Sequence, residues 1–595
     1  MFVGCVALAT SCDLTENVQV KADKSMIFGS KSGLELYSNS FYKALPTLKN
    51  GFMQDKMCDV GAVSNTDTFI KQGAYNTETA TSWSWGALKN INYFIDGCND
   101  PKYCTVDDNT RDNYLGIARW FRAWFYYDKL TTYGEVPWFP NDIQSYQNDV
   151  MYKDRDSRDV IIRNLIADLD FAYEHIQATS STGSSTLTRW AAAALKSRVC
   201  LFEAAYRRYH NLTGLEITPE ELYREAAKAA KLVIDNSGCS LNTATGKKGA
   251  YRDLFYNETP LTQEVILAVC ANEKSGIFGE QNWWFNARSY GLCWSLVRSF
   301  VHTYLKQDGT PFTAAADYAV QSFAEEMEGR DLRLEQTVRG RNFLWDGKTA
   351  VADIKNLSLT GYQVIKYTLD ESKYDGGAKN INSIPLIRYA EVLLNYAEAQ
   401  AELGVITDSE WALTVGALRK RAGITGGTET LPTTVDGYLQ RTFYPDVTSP
   451  VLLEIRRERA IELVAEGMRF DDLRRWKCGS LMETLPWSGI HIPGLEQPVD
   501  VNGDGVDDYY FTEGEVTAAP AAYRNIAIRV NQDGVGLYAE ANAVAGYDLV
   551  YKTGAGDRYW YPDGRQYLYP IPAKVIRDYR NAGYTISQNP EWDNE

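Results

Sequence analysis

Two stretches of this 595-residue chain set aromatic rings beside amide and guanidinium groups. One is TSWSWGALKNIN, with Trp83 and Trp85 close to Asn90 and Asn92. The other runs from Gln281 to Trp294 and carries Asn282, Trp283, Trp284, Asn286, Arg288, Tyr290 and Trp294. A flat apolar ring flanked by hydrogen-bonding side chains suits a ligand with apolar C–H faces and a rim of hydroxyls. Saccharides have that shape. Trp283 and Trp284 are consecutive, and neighbours on a regular strand point to opposite faces, so one of the two is expected outside the core. The plain alternative is that these rings clamp a long loop to the body.

A second constellation is acidic. DVNGDGVDD places Asp500, Asn502, Asp504 and Asp508 around Gly505, which resembles the first nine positions of a calcium loop. The bidentate Glu expected three residues after Asp508 is replaced by Phe511, and Glu513 comes two places late. The expectation is a structural calcium ion in an incomplete or differently closed site, with a solvated acidic turn as the alternative. No cofactor is required by any other motif.

Glu454, Glu458, Glu462 and Glu466 recur every fourth residue, on one side of a helix. Glycoside hydrolysis needs two carboxyl groups opposed across a substrate, not stacked along one helix. The row therefore reads as scaffold or solvated face. The chain has four His and ten Cys but no HExxH or CxxC, which excludes the common zinc and redox-enzyme patterns. Cys98 and Cys104 are close enough in sequence to close a small loop in an oxidising compartment, or to remain two free thiols. A formal net charge of −16 argues against a surface built for nucleic acid or anionic lipid. Many of the 39 Tyr and 15 Trp must be structural, since aromatics dominate cores, but such a chain can also spare rings for a surface platform.

MFVGCVALATSC is apolar and ends in small residues before Cys12, then gives way to a polar stretch. It resembles the tail of a bacterial lipoprotein signal segment with Cys12 as the lipidated residue, although no Lys or Arg precedes it and Ala9 stands where Leu is usual. No later run reaches about 18 apolar residues, so the membrane expectation is anchored rather than spanning.

The elements that must position these groups are mostly helices. Ala87, Leu88, Ile91 and Phe94 recur with helical spacing, and the next unit ends at Gly134 and Pro137. A third helix begins near Ser157, and Ala-rich segments follow, suited to antiparallel hairpins packed closely. From about residue 242 to 380 the texture turns to Gly-, Asn- and aromatic-rich loops, and helical patterning returns from 381 to 480. The fold expected is mainly α: a tetratricopeptide-like helical hairpin scaffold over about 80–240 and 381–480. Loop-rich, ligand-facing insertions with a few short strands fall at about 242–380 and 480–560, all within one body spanning 13–595.

Six blocks in order resemble the SusD/RagB family. They are ARWFRAWFYYDKLTTYGEVPWFP (Ala118 to Pro140), Ile384 to Gly404, LRKRAGI (Leu418 to Ile424), Leu452 to Trp476, YLYPIP and SQNPEW. The resemblance implies a lipid-anchored outer-membrane protein, facing the cell surface, that captures oligosaccharides without cleaving them. It also implies a partner, a TonB-dependent SusC-like transporter barrel, to which the ligand passes. Uptake of a peptide or glycopeptide is the alternative within that role, a glycoside hydrolase is the alternative outside it, and a pure adaptor is a third reading.

Overall fold

The computed structural model describes residues 24–286 and 292–593. It is mainly α-helical with a few short strands. Helix ends follow local chemistry. Asp107 accepts a hydrogen bond from the Thr110 amide to start helix Asp108–Tyr133, and Ser157 does the same for Val160 at the head of Arg158–His175. Helix Pro219–Asn236 opens on a reciprocal Thr218–Glu221 capping box with proline in its first turn. Asp108–Tyr133 stops at Gly134, whose φ of +75° suits glycine and whose amide donates to the Leu130 carbonyl. A Cβ there would stand 2.7 Å from a nitrogen of the Arg158 guanidinium, which pairs with Glu203, so a side chain at this turn would press on that pair.

The helices pack in series. Gly86–Asn99 lies on Asp108–Tyr133, which lies on Arg158–His175, then Arg189–Tyr209, then Pro219–Asn236. Ala191 to Ala194 are all buried in the fourth of these, because a helix without bulk can be approached closely from several sides. The chain then leaves the helical stack. It returns at strand Ile384–Arg388 and helix Tyr389–Glu402, which packs back on Pro219–Asn236. The excursion is closed at its base by an antiparallel pair, Val265–Val269 with Ile384–Arg388, in which Val269 faces Ile384 and Val265 faces Arg388. Two small three-stranded sheets follow: Leu537–Ala541, Tyr547–Tyr551 and Ser488–Ile492 all antiparallel, and Ala527–Arg529, Tyr509–Thr512 and Pro498–Val499 with one parallel pair.

The glutamate row is not a solvated face. Glu454, Glu458 and Glu462 are 7%, 1% and 0% exposed, buried between helix Pro450–Glu462 and the returning excursion. Their counter-charges come from segments far away in sequence. Arg333 reaches Glu458 at 2.5 Å and Glu462 at 2.7 Å, Arg388 reaches Glu462 at 2.6 Å and Glu466 at 2.7 Å, and Arg419 bridges Glu454 and Glu458. Arg421 closes the set on Glu462 and Glu264. Burial of each carboxylate opposes its charge, but the surrounding guanidinium groups win and hold Glu462 well below the ordinary range. A buried charge survives only when it is paired and hydrogen-bonded, so this network fixes the excursion to the helices in one register.

Further ion pairs fasten helix junctions. Glu391 takes a two-pronged bond from Arg198 at 2.6 and 2.7 Å, and Arg475 ties Glu398 to Asp472. The C-terminal blocks act as a clamp: Arg155 donates to Ser587, Gln588 and Asn589, while the buried Trp592 indole donates to the Arg565 and Leu568 carbonyls. Cys98 and Cys104 are free thiols, and burial pushes the Cys98 thiol upward. No helix among the described residues is long and apolar enough to cross a membrane.

Candidate functional site

A cleft of about 780 Å³ opens where three stretches meet: 78–92, 139–152 and 572–579. Trp83 and Trp85 form one wall, each half-buried, with ring centroids 5.3 Å apart and planes at 72°. Trp85 is propped by Phe139 at 5.2 Å and Phe125 at 5.6 Å, and Trp83 by Tyr133 at 4.9 Å. Rings fixed by edge-to-face neighbours lose little freedom on stacking a ligand, which is what a preformed platform requires. Both tryptophans sit just before helix Gly86–Asn99, and no side chain caps that helix at Trp85.

Asn92 is buried in the first turns of the same helix and donates to the carbonyls of Phe139 at 2.8 Å and Asn141 at 3.0 Å. Its amide is spent on shaping the opposite wall. The exposed Lys89 reinforces that wall through Asp142 at 2.7 Å and the Ile143 carbonyl at 2.9 Å. The third wall is the amphipathic helix Ala573–Asn581, which contributes Lys574, Arg577, Asp578 and Tyr579. Tyr152 completes the aromatic lining, edge-on to Tyr579 with centroids 5.1 Å apart. Asn141, Tyr152, Arg577 and Tyr579 were not anticipated from the sequence. The available signal was the amphipathic pattern of Val575, Ile576 and Tyr579 behind Pro572.

The second aromatic stretch divides. Gln281–Asn286 is a short helix rather than a strand, so the alternation argument for Trp283 and Trp284 does not apply there. Both rings are half-buried, Trp283 lying over Gly377, where an added Cβ would approach within 3.1 Å, and Trp284 packing against the core. Asn282 is corrected from ligand group to loop tie. It is fully buried, donates to the Leu369 carbonyl at 2.8 Å and accepts from the Leu369 amide and the Asn380 side chain at 2.7 Å each. Trp294 is likewise a core residue, 5% exposed, and its ring fills the space that a Cβ on Gly61 would occupy at 2.5 Å. Cys12, Arg288 and Tyr290 lie outside the described residues. None of Gln281–Asn286 lines the Trp83–Trp85 cleft.

In the acidic loop the carboxylates accept hydrogen bonds from backbone amides. Asp500 accepts from the amides of Gly503 at 2.7 Å and Gly505 at 2.8 Å, Asp504 from Val506 at 2.9 Å, and Asp508 from Val501 at 2.8 Å. Asn502 is buried and its side chain bonds to Asp504 at 3.2 Å. No group of three His, Cys, Asp or Glu side chains among the described residues is placed to hold a metal ion. The same carboxylates brace a tight turn at Gly505, where φ is +87°.

The SusD family model matches residues 263–592, more than half of the chain. The chain belongs to the SusD family. The matched SusD region holds the ion network and the C-terminal clamp, and Trp83 and Trp85 lie before it. A curated relative, SusD-like protein P38 of Formosa agariphila, is 25% identical over 380 residues, covering 61% of this chain and 66% of the relative. A SusD-like protein from Bacteroides fragilis is 21% identical, with 96% of this chain and 98% of that one covered and a TM-score of 0.63. A SusD-like carbohydrate binding protein from the same species is 18% identical, with coverages of 93% and 99% and a TM-score of 0.66. These structures share the fold of this chain.

Proposed function

We propose that this chain captures oligosaccharides at the cell surface in the Trp83–Trp85 cleft, without cleaving them, and delivers them to a TonB-dependent SusC-like transporter in the outer membrane. The observation that carries the reading is the propped, half-exposed Trp83–Trp85 pair lining a cleft with amide, ammonium and guanidinium groups on its rim. Membership of the SusD family supports the uptake role, and one similar structure is described as carbohydrate binding. Anchoring through a lipid on Cys12 belongs to the same proposal.

The pairing of the cleft carboxylates supports a binding rather than a cleaving role. Glycoside hydrolysis needs one carboxylic acid kept protonated near neutral pH. Glu78 accepts from Arg577, which pulls its pKa down, and Asp578 pairs with Lys574 at 2.6 Å. Both carboxylates already face a cation, and Glu78 is drawn away from the acid role.

The test is a binding screen of the purified protein against plant, host and microbial oligosaccharides, followed by Trp83→Ala and Trp85→Ala on each hit. Loss of a stacking ring is expected to weaken binding by about 1–3 kcal/mol. A saccharide hit unaffected by both substitutions moves the site elsewhere, and no saccharide hit at all leaves the peptide or adaptor reading in its place. Metabolic labelling with a radioactive fatty acid, lost in Cys12→Ala, tests the anchor.

A further inference from the structure

A second cleft, of about 880 Å³, lies on the other side of Gly86. It is walled by Tyr37 and Tyr93, whose rings stack at 6.0 Å and 30°, with Asn90 and Ser40 at its polar edge. Tyr37 donates to the Asn90 side chain at 2.5 Å and is further held by Phe94, ring on ring at 5.3 Å. The platform is therefore fixed in the same manner as the tryptophan pair. Gly86 and Lys89 line both clefts, and nothing stands within 4 Å of where a Gly86 Cβ would be. The passage between the two aromatic walls is open at that residue.

We infer that the two clefts are one groove, which takes an extended, uncharged oligosaccharide lying across Gly86 with Trp83 and Trp85 under one part and Tyr37 and Tyr93 under another. The inference rests on the glycan reading of the first cleft. From Trp85 to Tyr93 is eight residues of helix, a rise of about 12 Å, longer than a single sugar ring. At the crossing point the first turn of helix Gly86–Asn99 has no side-chain cap, which leaves its first amides without a side-chain partner. The charge balance selects neutral sugars. Lys89 pairs with Asp142 at 2.7 Å, Lys574 with Asp578 at 2.6 Å and Arg577 with Glu78 at 2.5 Å, so each cation lining either cleft already faces a carboxylate. A uronic or sulfated sugar would have to displace those partners against a chain of net charge −16.

Calorimetric titration of the full chain with xylo-, manno- and β-gluco-oligosaccharides of increasing length, beside oligogalacturonates, tests the groove. In the series that binds, affinity is expected to rise with length, with a step of about three- to tenfold where the chain first reaches the tyrosine wall. Tyr93→Ala should abolish that step and leave the shortest binder unchanged, Gly86→Leu should abolish the step as well, and Trp85→Ala should weaken every length. Melting curves of the variants separate lost binding from lost folding. Affinity independent of length, or a length step that survives both Tyr93→Ala and Gly86→Leu, overturns the groove while leaving the first cleft standing. Tighter binding of oligogalacturonate overturns the uncharged class. Absence of binding to every oligosaccharide overturns the glycan reading itself and the groove with it.

Discussion

Replacing Glu462 by Gln removes one negative charge from the centre of the buried ion network. Glu462 is 0% exposed and accepts from Arg388 at 2.6 Å, from Arg333 at 2.7 Å and from Arg421. Breaking a buried pair by removing one partner costs about 3–5 kcal/mol, because the charge left behind can find no water. Here each arginine keeps another carboxylate: Arg388 keeps Glu466, Arg333 keeps Asp331 and Glu458, and Arg421 keeps Glu264 at 3.2 Å. That places the expected loss near the lower end, about 3 kcal/mol. Glu454→Gln is the internal comparison. Glu454 is 7% exposed at the end of the same row, and its partners Arg419 and Arg457 keep Glu458 and Asp436, so a smaller loss than for Glu462→Gln is expected. Thermal and urea unfolding by circular dichroism of the three proteins reads the difference. Equal melting of Glu462→Gln and the parent protein, or a larger loss for Glu454→Gln, would refute the view that buried charge pairing holds the excursion in place.

Three further outcomes follow from the same structure. Burial holds His210 down to about 4, below its ordinary value of 6.5, so the unfolded chain binds the proton first. Its contribution to stability is complete above pH about 6.5 and is lost as the pH falls toward 4, by at most about 3 kcal/mol, and His210→Gln should flatten that limb of the melting-temperature profile. Gly134→Ala forces φ of +75° on a residue with a Cβ and presses it against Arg158, so it should cost about 1–3 kcal/mol, whereas Gly73→Ala, at φ +67° with open space around it, should cost only the backbone part. Calcium at millimolar concentration should leave the melting temperature unchanged; a rise abolished by Asp500→Asn would show that the 500–508 turn closes around an ion after all.

The helical scaffold was readable because helix signals are local. Ser157 and Gly134 mark ends by the bonds they make with residues three or four away. The spacing of Glu454 to Glu466 showed a helix side but not its environment, since Arg333, Arg388 and Arg421 reach it only through the tertiary fold. Asn282 and Trp294 illustrate the same limit at the site. An amide or indole has one chemistry whether it meets a ligand or a neighbouring loop, and only the positions of Leu369, Asn380 and Gly61 decide between the two. Trp83 and Trp85 were visible as rings near asparagines, but the wall they face comes from residues 572–579, nearly five hundred positions later.

The most direct test is a crystal structure of the full chain with the tightest-binding oligosaccharide from the screen. The account predicts a sugar ring stacked on Trp83 or Trp85, with the chain intact and hydroxyls within hydrogen-bonding distance of the rim formed by Asn141 and Arg577. An oligosaccharide seated on Trp283 and Trp284 instead, or cleaved in the crystal, would contradict it.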